Sequence, residues 1–502
     1  MAWNSTIDPC VDFYGFVCGC WEAHETRSRL NALVFDVVDA AISNLRSPAS
    51  EPRKAAKLFK GCIEPSESDV RSNLHYFKEF KRKLGMYWPE ATPLNATAVH
   101  PFDLLLDLAI NWRMGFLFQA HIAPATVRKS LSLVITPGTL STRWYAKKPT
   151  VRTLAEYESN EHLWIIANRP DLRFGTGDGS KKHVEYACFQ YVSLSLGLLA
   201  AQEYLRSEFT AWSRKQVNSL LGHISLAFYR RIEGVTWLDT HTKSVTLAKI
   251  GNLKAQVWPA VQFFDINATN VLYHSFPDMT GAFFGNFIDS MRTLRGLLGD
   301  AHANDLYLKE LFRPTGQFHL DYYLNKAYVS LAVLKAPVFY ANGKDVMLYG
   351  SLGTLYAQQA AKVIDSHGIL VGDDGRDVLL EKYRVPQEYK EKLQCAASQS
   401  TSAYAELFPQ LAGLEIAFGT FRNLSVKAAT LADNRVESLE QFSENEIFFM
   451  TYCNALCSPA TDVSARDKCN LPLKNFDEFA RAFNCPLNAP MNPERKCTVF
   501  GG

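Results

Sequence analysis

Residues 349–368 read YGSLGTLYAQQAAKVIDSHG. Taken alone, the central QQAAK is a run rich in strong helix formers. On a helix, Gln358 and Lys362 lie four residues apart and share one face. Nothing in those five residues demands more than a structural helix. Their meaning depends on the rest of the chain.

The chain has 502 residues, enough for two or more domains and a large core. Its 47% apolar and 21% charged residues are those of an ordinary globular protein. A net charge of +2 argues against nucleic-acid binding. The apolar stretch LSLGLLAAQEYL (193–204) is short and broken by charge, so no transmembrane helix is expected. The opening MAWNSTIDPC has neither the basic nor the apolar region of a signal peptide.

Eleven cysteines crowd toward the two ends of the chain, which suggests disulfides that tie the termini together. An odd total leaves at least one thiol free or intermolecular. N-x-[ST] sequons occur at Asn4, Asn95, Asn267 and Asn423. Cysteine usage and sequons together point to a secreted, extracellular glycoprotein.

The pattern along the chain is mostly helical. CIEPSESDVRSNLHYFKEFKRKLG (62–85) has a Ser/Glu-rich start and a basic, periodic body. Segments 187–209 and 210–239 carry apolar residues at helical spacing. Strand-like alternation is rare, and DYYLNKAYVSLAVL (321–334) is the best strand or hairpin candidate. FRPTGQF (312–318) and YANGKD (340–345) read as joints between elements. GDDGRD (372–377) lacks EF-hand spacing and reads as a solvated turn.

Two end segments carry more information. DPCVDFYGFVCGCW (8–21) and FDEFARAFNCPLNAPMNPERKC (476–497) stand in that order at opposite ends. They resemble the opening and closing signatures of the neprilysin family of zinc peptidases, which includes endothelin-converting enzyme. The resemblance extends over most of the chain, with an N-terminal lobe shorter than is usual. It implies a mainly α, two-lobed fold. A thermolysin-like C-terminal lobe with a small β element is paired with a helical capping lobe. In that frame residues 1–45 are a segment tied by disulfides to the C-terminal lobe, residues 46–314 the capping lobe, and residues 315–502 the peptidase lobe. It further implies the disulfides Cys10–Cys485, Cys18–Cys457, Cys62–Cys188 and Cys395–Cys497. Cys20 replaces a family glycine and is expected to be the unpaired thiol, while Cys453 and Cys469 are candidates to pair with each other.

The opening stretch aligns to the family without gaps. Tyr349, Gly350, Gly353 and Asp365 keep the family residues. By resemblance, Gln358 stands at the first histidine ligand, Gln359 at the catalytic glutamate and Lys362 at the second histidine. A neutral amide is a poor substitute for the imidazole, thiolate or carboxylate that zinc takes. An ammonium has no lone pair to offer. Gln359 is close in shape to glutamate but cannot accept a proton at neutral pH. Within AELFPQLAGLEIAF (405–418), Glu406 occupies the third ligand position, and Gln410 replaces the aspartate that orients the first histidine. No histidine follows His367, so the family's transition-state histidine has no counterpart. Arg466 and Lys468 fall near the family's basic positions. Gln317 and Phe318 fall on its substrate-backbone Asn-Ala pair, where a Phe would crowd a peptide.

These residues lead to the expectation of a secreted, catalytically inactive neprilysin-like protein that binds a peptide or protein and has no zinc or other cofactor. Two alternatives stand beside it: a zinc metalloendopeptidase with a non-standard site, and a dimerisation partner of active family members. Neither a nucleic-acid nor a membrane partner is expected. A zinc-free site would strand Glu406, because an unpaired charge is costly to bury. A Lys362–Glu406 salt bridge is therefore expected, with Gln358 or Gln359 adding a hydrogen bond.

Overall fold

The computed structural model describes residues 3–22, 28–46, 53–87, 99–115, 118–124, 131–137, 178–257, 265–297, 318–322, 325–330, 333–372, 386–399, 407–428, 436–459 and 462–501. Asn95, Gln317, Glu406 and residues 373–377 of the GDDGRD turn lie outside the described residues.

The helices of the N-terminal half are α1 (Phe13–Glu22), α2 (Arg29–Arg46), α3 (Arg53–Ile63), α4 (Glu67–Lys83) and α5 (Pro101–Asn111). After the strands β1 (Phe118–Pro124) and β2 (Leu131–Pro137) come α6 (Asp178–Glu208), α7 (Ala211–Gly234) and α8 (Thr240–Asn252). Strand β3 (Lys254–Val257) precedes α9 (Ile266–His274) and α10 (Phe283–Gly296). Strands β4 (Phe318–Asp321) and β5 (Lys326–Val329) lead to α11 (Asp345–Leu348) and α12 (Thr354–Ala361). The chain then forms α13 (Gln387–Gln399), α14 (Leu407–Ala428), α15 (Glu444–Ala455), α16 (Val463–Lys474) and α17 (Asp477–Ala482).

Local chemistry sets several of these boundaries. Ser66 caps α4 in a reciprocal pair with Asp69, and Lys81, Arg82 and Lys83 occupy its last turn, where they complement the helix dipole. Thr210 caps α7 by accepting from the Ser213 amide. Helix α6 begins well before residue 193, and its window Val184–Ala201 is long and apolar enough to cross a membrane by length and composition. Of that window, 61% is buried inside the protein, which is the environment of a core helix.

In the three-stranded sheet β5 lies between β3 and β4, parallel to β3 and antiparallel to β4. Of the strand and hairpin readings of 321–334 the hairpin is present, but it starts at Phe318 and its second strand ends at Val329. Asn325 makes its turn in the left-handed region, which asparagine tolerates better than most residues. The antiparallel pair β1–β2 was not signalled by alternation in the sequence.

Helix α6 packs on α2, α3 and α10, and α4 packs on α10. Helix α14 packs against α12, α7, α13 and α16. Although α7, α8 and β3 precede residue 314, α7 packs on α12 and α14, and β3 pairs with β5. The packing therefore crosses the boundary read at residue 314.

The two ends of the chain are joined closely. Disulfides Cys10–Cys485 and Cys18–Cys457 span 475 and 439 residues. Cys62–Cys188, Cys395–Cys497 and Cys453–Cys469 also form, and Cys20 is free and exposed. Such pairs belong to an oxidising compartment and mark an extracellular or lumenal protein. Phe13 packs edge-on against Phe479 and Phe483, with ring centroids 4.8 and 4.9 Å away. The Tyr14 hydroxyl donates to the Ser458 carbonyl at 3.0 Å and accepts from the Ser458 amide at 2.9 Å. At the other end, the Glu415 carboxylate accepts from the amides of Val499 (2.8 Å) and Phe500 (3.0 Å). Burial raises the Glu415 carboxyl above its ordinary range, and these amides offset that only in part.

In the native state, a thiol-labelling reagent is expected to modify one cysteine, Cys20, while the other ten are protected as disulfides; peptide mapping without reductant checks the pairs. The raised Glu415 carboxyl contributes stability at acid pH that is lost as pH rises through its folded pKa. Glu415→Gln does not titrate, so its stability relative to wild type should improve as pH rises from about 4 to about 7. A difference in melting temperature that stays flat across that range would contradict this account.

Candidate functional site

The site is built on the turn and helix of residues 349–361. Tyr349–Gly353 form a π-helical turn, a rare widening that is frequent at functional sites. Ser351 Oγ lies 2.6 Å from the carbonyls of both Val338 and Met347, which share its one proton, and Thr354 Oγ1 donates to the Tyr349 carbonyl at 2.9 Å. Two tyrosines of this stretch reach α7. The Tyr349 hydroxyl lies 2.7 Å from His223 Nδ1, and the Tyr356 hydroxyl lies 3.0 Å from Ser225 Oγ. Burial pushes the Tyr356 hydroxyl up to about 12 and raises that of Tyr349 as well.

Helix α12 stops at Ala361, and Lys362–Ile364 tighten into a 3-10 turn. Asp365 then organises the exit. Its carboxylate accepts from the amides of His367 (2.9 Å) and Gly368 (2.6 Å) and from the Tyr322 hydroxyl (2.6 Å). From α8, the buried Lys249 ammonium donates to the carbonyl of Val363 at 3.1 Å and to that of Gly368. Asn325 donates in turn to the Lys249 carbonyl at 2.7 Å, which ties the β4–β5 turn to the same place.

Gln358 is 8% exposed. Its amide donates to the Tyr452 hydroxyl at 3.0 Å and reaches the Gln410 carbonyl at 3.5 Å. The Tyr452 hydroxyl donates to the Lys468 carbonyl at 2.7 Å. Burial raises the Tyr452 hydroxyl far above its ordinary pKa, so it remains a neutral donor. The adjoining residues, Cys453 and Cys469, form the disulfide between α15 and α16. That bond holds the two helices at the separation across which Tyr452 reaches Lys468. The result is a continuous chain of protein hydrogen bonds from α12 through α15 to α16.

The other expected site residues are distributed around this chain. Gln359 and Lys362 are half-buried, Gln410 lies one turn before Gly413 on α14, and Phe318 is half-buried in β4. Arg466 donates to Asp12 and lies 5.2 Å from the centre of the Tyr14 ring, a place in the N-terminal clamp that the resemblance did not imply. The Lys468 side chain is exposed, and its backbone carbonyl makes the contact with Tyr452. The expected Lys362–Glu406 salt bridge involves a residue outside those described. Asn267 and Asn423 are exposed, and Asn4 is half-buried. Tyr452, Lys249 and Gly413 were not anticipated. A tyrosine within the apolar run FFMTYCNALC was the available signal, because a buried hydroxyl needs a partner.

The side chains that the resemblance puts at the two histidine-ligand positions, the Gln358 amide and the Lys362 ammonium, do not fit a zinc ion. Among the described residues no cluster of three His, Cys, Asp or Glu side chains has a metal-binding arrangement.

This fold, a helical body with a small sheet beside α12, is that of a zinc metallopeptidase. Sequence models of Peptidase family M13 match residues 321–499 and 168–258, and the chain belongs to that family. Neprilysin of Oryctolagus cuniculus is 22% identical over 350 residues, covering 62% of this chain and 45% of that protein. Endothelin-converting enzyme 1 of Rattus norvegicus is 19% identical over 385 residues, covering 68% of this chain and 50% of that protein. The chain spans about half the length of these curated relatives. Among solved structures, the Mycobacterium tuberculosis zinc metalloprotease ZMP1 in complex with inhibitor matches with a TM-score of 0.67 at 13% identity, covering 99% of this chain and 98% of that one. The Haemonchus galactose containing glycoprotein complex matches with a TM-score of 0.68 at 13% identity, covering 99% and 97%. At these identities the structural likeness establishes the fold.

Tyr452→Phe removes the acceptor for Gln358 and the donor to Lys468 while keeping the ring. The groups left unpaired should destabilise the protein by about 1–3 kcal/mol, read as a lower urea midpoint with unchanged slope.

Proposed function

We propose that this chain is a zinc-free, catalytically inactive member of the M13 family, secreted and glycosylated, that binds a peptide or protein ligand. The observation that carries the reading is the buried Gln358–Tyr452–Lys468 hydrogen-bond chain. At the position of the first metal ligand it puts an amide whose donor is engaged by protein groups. Gln359 cannot act as a general base, a role worth about 10²–10⁴-fold in rate. Lys362 adds positive charge where the family holds a cation. Retention of the terminal clamp and of the core around a donor-poor site supports a binding role over a catalytic one.

Purified protein, equilibrated with zinc and then dialysed, should retain well below one zinc per chain by elemental analysis. It should also show no chelator-sensitive cleavage of peptide substrates. The triple variant Gln358→His, Gln359→Glu, Lys362→His should remain without measurable activity, since no histidine after residue 367 is available for the transition state. Stoichiometric zinc together with chelator-sensitive cleavage by the unaltered chain would overturn the proposal.

A further inference from the structure

A cavity of about 440 Å³ lies where the C-terminal turn of α7, the loop after it, α13 and the fastened C-terminal tail meet. Its volume is in the range of small-molecule sites. Arg230, Arg231 and Lys392 line it together with one carboxylate, Glu388. Among the described residues, none of these three cations lies within 4.0 Å of a carboxylate. Arg231 is also attracted to Glu415, the carboxylate that fastens the tail, which leaves Arg230 and Lys392 as the cations available to a ligand. The Glu388 carboxylate and the negative end of the α7 dipole, equivalent to about half a charge, oppose an anion here but together do not cancel two cations.

The remaining wall is aromatic. Trp237 and Phe500 line the cavity with ring centroids 6.4 Å apart and planes tilted by 37°. Trp237 is held in place by stacking on Tyr389 at 5.7 Å. It is 5% exposed, and its indole N–H is buried without an acceptor among the described residues. A buried donor of this kind normally has a partner. An acceptor group on a ligand would supply one.

We propose that this cavity binds a small organic anion, a phosphate or carboxylate carried on an aromatic ring. The ring packs against Trp237 and Phe500, and the anionic group sits between Arg230 and Lys392. Arginine suits this role because its planar fork matches the oxygens of phosphate and carboxylate. The proposal is independent of the zinc-free reading of the Gln358 region, since it uses none of those residues.

Calorimetric titration of the full chain with phenyl phosphate tests it, with benzoate, inorganic phosphate and phenol titrated alongside. One phenyl phosphate or benzoate should bind per chain, and the tighter of the two identifies the preferred anionic group. Inorganic phosphate and phenol should each bind roughly tenfold more weakly, because each lacks one half of the recognition. The double variant Arg230→Gln, Lys392→Gln alters exposed or half-buried side chains and should weaken binding roughly tenfold or more with the melting temperature unchanged. Trp237→Phe keeps an aromatic wall, loses the N–H, and should weaken binding by a smaller factor. Absence of binding by both aromatic anions at millimolar concentration would overturn the proposal. So would an affinity unchanged in the double variant, or inorganic phosphate binding as tightly as phenyl phosphate.

Discussion

The centre of this protein depends on how closely two helices cross. A Cβ placed on Gly413 of α14 would lie 2.4 Å from the Gln358 amide nitrogen and 2.5 Å from its Cα. Backbone atoms cannot move aside as a flexible side chain can, so only glycine permits this approach. Gly350 meets α15 in the same manner, with a built Cβ 2.6 Å from the Phe448 carbonyl oxygen. These two contacts bring α12, the π turn, α14 and α15 together at backbone distance. The Gln358 side chain is then short enough, and close enough, to reach groups on both α14 and α15.

Hydrogen bonds alone do not hold this junction. A typical one contributes about 0.5–1.5 kcal/mol net, because water is given up to make it. Apolar packing does more, and it is dense here: Phe418 of α14 stacks on Phe449 and meets Phe448 edge-on, at 5.2 Å in each case. The Cys453–Cys469 bond then fixes α15 against α16 beside the Tyr452–Lys468 contact.

The terminal clamp acts on a different scale. Bridges that close loops of more than 400 residues restrict the unfolded chain strongly in the chain-entropy account. The contacts around them make the clamp specific. Asn470 donates to Asp12 at 2.9 Å and accepts from the Tyr14 amide at 2.8 Å, and Arg466 joins them. Arg466 is thereby drawn into holding the N-terminus. Its neighbour Lys468 leaves its side chain in solvent and contributes a carbonyl instead.

Much of this was legible in the sequence because it rests on residue chemistry. The end motifs identified the family, and the resemblance gave four disulfide pairs. The Ser/Glu-rich start before α4 and the apolar periods of α6 and α7 marked helices. That Gln358, Gln359 and Lys362 bring amides and an ammonium to this stretch is likewise legible in the sequence, since such groups carry their chemical limits wherever they sit. Other features needed the fold. Tyr452 lies 94 residues from Gln358, and no local pattern pairs them. Arg466 lies 454 residues from Asp12. That α7 and β3 pack with the C-terminal elements, across the boundary read at residue 314, follows from which faces meet. The partners of a buried polar group depend on distances between elements, and only tertiary packing sets those. The sequence by itself determined what each side chain at the site is chemically able to do. The tertiary structure decided which groups it does it with.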